Sequence, residues 1–372
     1  MTHIVVTGAN GFLGRHVAAL LAADPDVTLG RLTRETPAAD AAAELARADA
    51  VIHLAGVNRP TDDREFVTGN VDFTRTVVDA LEAAGRRAVL VLSSSSRADE
   101  DTAYARSKRE AEALVRTYAA RTGAPVAIFR LPNVFGKWSR PHYNSAVATF
   151  CHAIANGLPF EVHDPARTVR LVYGEDVAHA LIAQARGTAA RPAADAFAAV
   201  EPVYDRTLGE IVALLEQFRD IRTALVLPDF SDGFVKKLHT TFVSFLPVGE
   251  LAYALTQYTD PRGALAELLK SPAFGQVFVS RTKPGITRGN HVHHTKTEKF
   301  VVVEGDAVIR MRPIDGDAVA EFPVRGADFR VVDIPPGYTH SITNVGSGEL
   351  VTLFWSSEIF DRARPDTYPL EV

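Results

Sequence analysis

The sequence is poor in cysteine, has no surplus of basic charge and contains no long apolar run. Its 372 residues include a single cysteine, Cys151, which excludes an internal disulfide and with it a secreted disulfide scaffold. The formal net charge is -5 and no Lys- or Arg-rich run occurs, so neither a nucleic acid nor an anionic membrane is an expected partner. No stretch reaches membrane-spanning length, and the first residues lack a leader pattern, so we expect a cytoplasmic protein.

The length and the pattern of apolar residues predict two domains. A chain of 372 residues exceeds what one hydrophobic core usually serves. Residues 1–135 alternate short β-rich runs with stretches of helical period, which is typical of a parallel sheet covered by helices. The helical pattern stops near residues 240–247, and from Gly275 onward short strands alternate with turn residues. We therefore predict an α/β Rossmann-type domain over residues 1–247 and an all-β domain over residues 248–372.

A glycine-rich loop directly follows the first β-rich run. Gly8, Gly11 and Gly14 let the backbone approach a pyrophosphate, and a helix that begins near Phe12 offers its N-terminal amides to the negative charge. The second strand ends not in the acidic residue that would bind the adenosine ribose but near Arg34, which suits a 2′-phosphate. The pattern favours NADP(H), the alternative being that Arg34 only points to water.

A tyrosine and a lysine four residues apart predict a proton-donating site. Tyr104 and Lys108 share one helix face, where we expect the ammonium to lower the pKa of the phenol and to hold a nicotinamide ribose. A serine run, residues 93–96, ends a strand upstream of Tyr104, and a hydroxyl there can polarise the same carbonyl oxygen. The set suits the reduction of a ketone.

Five motifs of the first 245 residues are Thr7–Gly14, His53–Gly56, Ser93–Ser95, Tyr104–Lys108 and Arg130–Gly136. In these motifs the chain resembles the extended short-chain dehydrogenase/reductase family. The resemblance implies a catalytic triad of Ser95, Tyr104 and Lys108, although the short interval before Tyr104 leaves open which serine faces the substrate. The expected cofactor contacts are Gly8, Asn10, Gly11, Phe12, Leu13, Gly14, Arg34, Leu54, Ala55, Gly56, Ser93, Tyr104, Lys108 and Asn133. The expected substrate contacts are Asn133, Lys137, Tyr143, Asn144, Arg170, Arg262 and Arg288.

A histidine-rich segment near the end of the chain predicts a metal site. Strand alternation sends His291 and His293 to one face and His294 to the other. Glu298 and His340 complete four N and O ligands, a set that suits a divalent transition metal, with zinc as the first choice and iron, manganese or nickel as alternatives.

Two patterns in this region are His291-x-His293-x4-Glu298-x6-Gly305 and Pro335-x-Gly337-x2-His340-x3-Asn344. They are similar to the two cupin motifs, which implies a small double-sheet β-barrel. Asp260–Gly263 and Arg288–His291 also resemble segments of deoxysugar 3,5-epimerases, in which the corresponding histidine is the base. That comparison makes His291 a base and the metal set makes it a ligand, so the base stays open. Tyr338 is a candidate proton donor or a packing residue.

Three further motifs are Gly56–Pro60, Tyr143–Ser145 and Gly289–His291. With them, the whole chain resembles the bifunctional UDP-2-acetamido-2,6-dideoxy-hexulose C3-epimerase/C4-reductases of bacterial capsule and O-antigen assembly. The resemblance implies epimerisation at C3 by the cupin and then NADPH-dependent reduction at C4. The substrate would be a UDP-linked 4-keto-6-deoxy-hexosamine and the product a UDP-6-deoxy-L-talosamine derivative, on the route to UDP-N-acetyl-L-fucosamine. It also implies a homodimer.

Two other functions are weighed against this one. In the first, an ordinary sugar-nucleotide reductase carries the second domain as a metal-stabilised binding or dimerisation module without chemistry. In the second, the chain is a non-catalytic sensor of nicotinamide and sugar nucleotides. The complete set of Ser95, Tyr104 and Lys108 argues against a sensor, because a sensor needs no apparatus for proton delivery.

Overall fold

The computed structural model describes residues 1–372, which divide into two compact units. The first comprises Met1–Glu216 and Lys236–Pro247, and the second comprises Gln217–Val235 and Val248–Val372. The sequence prediction put residues 217–235 in the first domain, whereas the structure groups them with the second unit. The physical reason is a backbone pairing: the Leu227 amide donates to the Lys270 carbonyl at 2.7 Å, within the second unit.

Residues 2–243 contain both helices and strands. The helices are α1 (Phe12–Ala22), α2 (Ala38–Arg47), α3 (Arg64–Phe66), α4 (Phe73–Ala83), α5 (Ala103–Thr122), α6 (Ala146–Ala155), α7 (Gly174–Arg186), α8 (Leu208–Ala224) and α9 (Gly233–Val243). The strands are β1 (Thr2–Thr7), β2 (Val27–Leu32), β3 (Ala50–His53), β4 (Val89–Ser95), β5 (Val126–Leu131), β6 (Asn133–Phe135), β7 (Thr168–Tyr173) and β8 (Val203–Thr207). None of the helices has the length and hydropathy that crossing a membrane requires.

The main sheet of the first unit is parallel, with the strand order β2-β1-β3-β4-β5. The order reverses direction between β1 and β3, and ligands of such sheets bind in the crevice at the carboxyl ends of the strands at this point. A smaller mixed sheet has the order β6-β7-β8. The predicted parallel sheet with helical crossovers is confirmed.

The alternation of side chains along β1 supplies both faces of the main sheet. Ile4 and Val6 pack into one apolar cluster with residues of α1 and α7. Val5 packs into the other, with residues of α2, α4 and α5. All three side chains are fully buried, and for this reason the strand reads as a continuous apolar run rather than an alternating one.

Helix α5 carries the tyrosine and the lysine, and its ends are fixed by local interactions. The Thr102 side chain caps the first turn by accepting a hydrogen bond from the Ala105 amide at 3.1 Å. Gly123 ends the helix in a left-handed conformation with φ +69°. The cap places Tyr104 in the first turn, next to the carboxyl end of β4.

The second unit is rich in antiparallel strands. They are β9 (Gln257–Asp260), β10 (Gly263–Ser271), β11 (Gly275–Thr282), β12 (Thr287–Val292), β13 (Glu298–Glu304), β14 (Asp306–Pro313), β15 (Ala320–Arg325), β16 (Val331–Ile334), β17 (Tyr338–Asn344), β18 (Leu350–Ser356) and β19 (Tyr368–Pro369). One sheet has the order β16-β13-β18-β11-β10-β9 and the other the order β15-β14-β17-β12-β19. The predicted change to an all-β pattern is confirmed, although the first strands precede Gly275.

The apolar core of the second unit draws on both of these sheets. Phe300 and Phe354 come from the six-stranded sheet, and Ile309 and Ile342 come from the five-stranded sheet. The rings of Phe300 and Phe354 meet edge to face at 4.6 Å. The inner faces of the two sheets therefore pack against each other, as in a β-sandwich or a flattened barrel.

Candidate active site and metal centre

A cleft of about 1550 Å³ opens at the carboxyl ends of the parallel strands in the first unit. Its walls are the glycine loop after β1, the segments after β3 and β4, and the beginning of α5. Every residue expected to contact a cofactor lines this cleft. Single small-molecule sites typically enclose roughly 300–1,000 Å³, so there is room for a dinucleotide and a second ligand together.

The glycine loop leaves no space for side chains at two of its positions. Gly8 has φ +67°, and a Cβ atom there would lie 2.8 Å from the Ala55 amide nitrogen. A Cβ atom on Gly14 would lie 2.0 Å from the Gly8 carbonyl oxygen. The loop therefore holds its backbone against the segment after β3 and leads into the N-terminus of α1, an arrangement that fits a pyrophosphate.

A buried histidine forms hydrogen bonds next to the start of this loop. His53, at the end of β3, contacts the Thr7 hydroxyl through Nδ1 at 2.7 Å and the Thr74 hydroxyl through Nε2 at 2.9 Å. Burial, and to a smaller extent the charge of Lys108, lowers the pKa of His53 to about 3. The imidazole is therefore neutral and acts as a hydrogen-bonding spacer between β1 and β3.

Arg34 lies just beyond β2 and lines the cleft. It is exposed and forms no ion pair with any acidic residue, although Glu35 is its neighbour. A free guanidinium at this position fits the 2′-phosphate of a bound dinucleotide, because arginine binds phosphate through paired N–H groups.

Ser95 lies beside Tyr104, close enough to lower the pKa of the phenol. The Lys108 ammonium lies 5.8 Å from the centre of the Tyr104 ring. Ser94 points to the opposite side of β4, where its hydroxyl donates to the buried carboxylate of Glu112. The sequence left open which serine faces the substrate, and in this geometry Ser95 is the serine beside the tyrosine.

The pKa values of the tyrosine and the lysine move in opposite directions. Burial raises the pKa of Tyr104, and the nearby Ser95 side chain and the charge of Arg97 only partly oppose this. Burial lowers the pKa of Lys108 to about 8, against the attraction of Glu112. The expectation that Lys108 lowers the tyrosine pKa is therefore not met, since Lys108 is not among the groups that shift it.

The expected substrate contacts of the first unit divide into two groups. Asn133, Tyr143 and Asn144 line the cleft. Lys137 and Arg170 are not among its lining residues. The Lys137 ammonium instead pairs with Glu175 at 2.9 Å.

Sequence reasoning missed Trp138, which lines the cleft beside the glycine loop. Its backbone has φ +68°, an uncommon conformation for a bulky residue. The Arg15 guanidinium and the Lys137 ammonium each lie 4.7 Å from its ring, and His16 meets it edge to face at 4.9 Å. The only sequence signal was a rare tryptophan two residues after Gly136.

In the second unit, His291, His293, Glu298 and His340 form one cluster whose ligand-type atoms lie within 4.8 Å of one another. The Nε2 atoms of His293 and His340 lie 3.4 and 3.3 Å from Oε2 of Glu298. These two nitrogens are buried and lack a hydrogen-bond partner of good geometry. Orphaned nitrogens aimed at a carboxylate are what a metal site leaves in a protein without its ion, so the residues fit a divalent metal.

Backbone carbonyls orient two of these histidines. Nδ1 of His293 donates to the carbonyl of Asp366, and Nδ1 of His340 lies 3.3 Å from the carbonyl of Tyr338. A proton on Nδ1 leaves the lone pair on Nε2, which faces the cluster. The Asp366 contact could not be read from the sequence because it joins residues 73 positions apart.

A β-bulge aims the remaining histidine. Gly289 and Asn290 have φ of +94° and +55°, and the register between β12 and β17 shifts there. After the bulge, His291 pairs with His340. Paired residues of antiparallel strands face the same side of a sheet, so both imidazoles enter the cluster. His294 turns away and packs on Tyr368 at 5.0 Å, as strand alternation predicts.

Charge in the cluster favours metal binding. Burial, with the neighbouring His340 and His293, lowers the pKa of His291 to about 4. Burial works to raise the pKa of Glu298, but the close imidazoles of His293 and His340 outweigh it and lower that pKa to about 2. A neutral imidazole and a carboxylate are the forms that bind a cation.

The other predicted residues of the second unit lie on the same two sheets. Arg288 pairs with Ile342, two residues from His340, and so shares the face of the cluster. Nε of Arg288 donates to the Thr282 hydroxyl at 3.0 Å. Nε and a terminal nitrogen of Arg262 donate to the Asp260 carboxylate at 2.9 and 2.6 Å. Tyr338 is partly buried and packs against the apolar core.

Comparison with known protein families identifies the first unit. The model of the NAD dependent epimerase/dehydratase family matches residues 4–197, just over half of the chain. The chain belongs to this family. A second model, the polysaccharide biosynthesis C-terminal domain, matches residues 258–368 and thus the β-rich unit.

Two relatives match the whole chain. It is 40% identical over 369 residues to UDP-2-acetamido-2,6-beta-L-arabino-hexul-4-ose reductase of Pseudomonas aeruginosa, covering 99% of this chain and 98% of the relative. It is 43% identical to the capsular polysaccharide assembling protein CapF of Staphylococcus aureus, whose crystal structure superposes with a TM-score of 0.92 over 99% of this chain and 100% of that one. The likeness to both relatives therefore extends over both units of the chain.

A third structure shares only the fold. RMD of Pseudomonas aeruginosa, solved in complex with NADPH, is 21% identical with a TM-score of 0.54, over 66% of this chain and 97% of its own.

Proposed function

We propose that this chain is a bifunctional sugar-nucleotide enzyme. The second unit epimerises C3 of a UDP-2-acetamido-2,6-dideoxy-4-hexulose, and the first unit reduces the C4 ketone with NADPH to a UDP-6-deoxy-L-talosamine derivative, on the route to UDP-N-acetyl-L-fucosamine. The observation that carries the proposal is that Ser95, Tyr104 and Lys108 line one cleft together with the glycine loop. The full-length likeness to a UDP-sugar reductase supports the substrate class.

The reduction needs a proton donor at the C4 oxygen. Bound NADPH supplies the hydride, and Arg34 and the glycine loop are the residues that we assign to its phosphates. Tyr104 keeps its proton near neutral pH because burial raises its pKa, so its hydroxyl can donate to the developing alkoxide. Ser95 stabilises the same oxygen by a hydrogen bond, and the Lys108 ammonium adds positive charge. Asn133, Tyr143 and Asn144 are the proposed sugar-nucleotide contacts of the cleft.

The epimerisation uses the acidity that the ketone gives to the C3 hydrogen. We assign His291, His293, Glu298 and His340 as ligands of a divalent metal, zinc being the first choice, which would supply a Lewis acid. Arg288 and Arg262 are the proposed anion contacts in this unit. Tyr338, on the strand face of His340, is the proposed donor for reprotonation of C3. Epimerisation precedes reduction, since the reduction removes the ketone.

We also propose that the second unit is a cupin barrel and that the protein is a homodimer. The two packed antiparallel sheets and the position of the ligand cluster on β12, β13 and β17 support the cupin assignment. Light scattering of the purified protein tests the dimer, which predicts twice the chain mass of 40.3 kDa.

The direct test of the proposed function is NADPH oxidation by the purified protein with a UDP-linked 4-keto-6-deoxy-hexosamine. We expect oxidation with this ketone, and none with UDP-N-acetylglucosamine, which has no ketone. The His291→Ala variant separates the proposal from a reductase with a non-catalytic second unit. Loss of C3 proton exchange with reduction intact supports catalysis, whereas intact exchange and loss of assembly alone make the second unit a structural module.

A further inference from the structure

A buried carboxylate behind the candidate catalytic residues has no role in the function described so far. Glu112 is 5% exposed and lies on α5, four residues after Lys108. Residues four apart on a helix share a face, so Tyr104, Lys108 and Glu112 follow one another along the side that meets β4. A buried carboxylate is retained only when it is paired, and the identity of its partners shows what it holds.

Glu112 is bound by two neighbouring strands. The Ser94 hydroxyl, from β4, donates to Oε1. Arg130, from β5, donates to both oxygens, with Nε 2.9 Å from Oε1 and a terminal nitrogen 2.8 Å from Oε2. The two parallel bonds hold the carboxylate in the plane of the guanidinium, because both groups are planar. Ser94 is the immediate neighbour of Ser95, so the contact fixes the end of the strand that presents Ser95.

The same arginine also reaches the turn after Ser95. Its other terminal nitrogen donates to Oδ1 of Asp99 at 2.7 Å, and Asp99 ends the short 3-10 helix that begins at Ser96. The guanidinium stacks 4.0 Å from the centre of the Phe197 ring. Arg130 and Glu112 thus connect α5, β4, β5 and the turn between the serine and the tyrosine.

The charges in this group are one arginine, two carboxylates and one lysine. Arg130 is shared by Glu112 and Asp99, so Lys108 is the second cation near Glu112. On its other sides Lys108 faces Tyr104, the neutral imidazole of His53 and the backbone of Gly56. Glu112 is therefore the charge that favours the ammonium form of Lys108.

We propose that Glu112 is a positioning residue of the reductase site, which holds Ser95 and α5 in register through Ser94 and Arg130 and places a negative charge one helical turn from Lys108. The inference rests on the proposed roles of Ser95, Tyr104 and Lys108. It assigns Glu112 no contact with substrate or cofactor.

The test measures the charge of Lys108 without any substrate. Trace labelling of the full-length protein with acetic anhydride across a pH series, with mass spectrometry of the Lys108 peptide, gives the midpoint at which the amine loses its proton. The Glu112→Gln variant keeps the shape of the side chain at position 112 and removes its negative charge. The midpoint of the Lys108 amine should therefore fall by roughly 1 pH unit. Glu110→Gln, an exposed change on the same helix, should leave the midpoint unchanged.

A second variant moves the midpoint in the other direction. Arg130→Gln leaves Glu112 without its main cation, so the pull of Glu112 on Lys108 strengthens and the midpoint rises. A midpoint that stays at the wild-type value in either folded variant overturns the proposal. If only Arg130→Gln folds, the direction of its shift decides alone.

The pH profile of NADPH oxidation gives an independent reading. In Glu112→Gln, the alkaline limb of kcat should move to lower pH with the midpoint of Lys108, and KM for NADPH should change little. A uniform loss of activity at every pH contradicts the charge role. The Lys108 midpoint could shift as expected in both variants while the wild type oxidises no NADPH. That result would reject the proposed function but leave the effect of Glu112 on Lys108 in place.

Discussion

Nε2 of His340 lies 3.3 Å from Oε2 of Glu298, and both groups are buried. His340 lies on β17 and Glu298 on β13, in the two sheets that pack together. Apolar packing alone does not account for a nitrogen without a hydrogen-bond partner next to a carboxylate, because burying either group without a partner is unfavourable. The relationship has a simple explanation if a cation sits between them and the other two histidines of the cluster.

Glu298→Gln should therefore remove the metal while keeping the size of the side chain. Elemental analysis of the purified protein should give about one zinc or related ion per chain for the wild type and far less for the variant. A ligand present at a free concentration of 100 times its Kd stabilises the folded state by about 2.7 kcal/mol. Loss of the metal should therefore also lower the melting temperature of the second unit. Equal metal content in the two proteins would contradict the assignment of the cluster.

Tyr104→Phe should abolish reduction and spare cofactor binding. The variant removes the hydroxyl from the cleft and keeps the ring beside Lys108. General acid catalysis typically contributes 10²- to 10⁴-fold, so kcat for NADPH oxidation should fall in about that range. The Kd for NADPH from fluorescence titration should stay near the wild-type value, and a normal kcat would remove Tyr104 from its proposed role.

Arg34→Ala should change the preference between cofactors. Arg34 has no acidic partner to lose, so the fold should not suffer. A charge-assisted hydrogen bond contributes about 1.5–3 kcal/mol, which corresponds to a roughly 10- to 100-fold higher KM for NADPH. KM for NADH should be unaffected. If both constants rise together, Arg34 supports the loop and does not read the 2′-phosphate.

Asp366→Asn should weaken the second unit at neutral pH and much less in acid. Burial works to raise the pKa of Asp366, but hydrogen bonds from the amides of Thr295, His294 and Lys296 hold it well below its usual range. A depressed pKa contributes stability that is complete above the unfolded value of about 3.9 and is lost as the pH falls towards the folded value.

Urea unfolding at pH 7 and at pH 3 measures this dependence. The carboxylate is partly exposed, so we expect a loss of about 1 kcal/mol at pH 7 and a smaller difference at pH 3. Asp315→Asn, at an exposed residue, is the matched control and should change neither value. A difference that grows in acid would contradict the assignment.

Local spacing was enough to predict the parts of the site that a few consecutive residues define. The glycine loop, the Tyr104–Lys108 pair and the alternation of His291 and His293 depend on strand and helix periods, and the structure has them in those arrangements. The order of the two fold types followed from the same periods.

The parts that could not be predicted depend on long-range pairing. Lys137 was expected to contact substrate, but its partner Glu175 lies 38 residues away. Asp366 and Arg130 join elements through contacts that no local pattern encodes. The sequence puts residues 217–235 in the first domain because the helical pattern stops only near residues 240–247, while the backbone pairing with Lys270 groups the segment with the second unit.

The measurement that tests the two-site account most directly is proton NMR of a UDP-4-keto-6-deoxy-hexosamine in D2O with the wild-type protein, first without and then with NADPH. We predict deuterium at C3 before the cofactor is added, followed by loss of the ketone when NADPH is present. Loss of the ketone without any exchange at C3 would contradict an epimerase in the second unit, and neither signal would contradict the proposed substrate class.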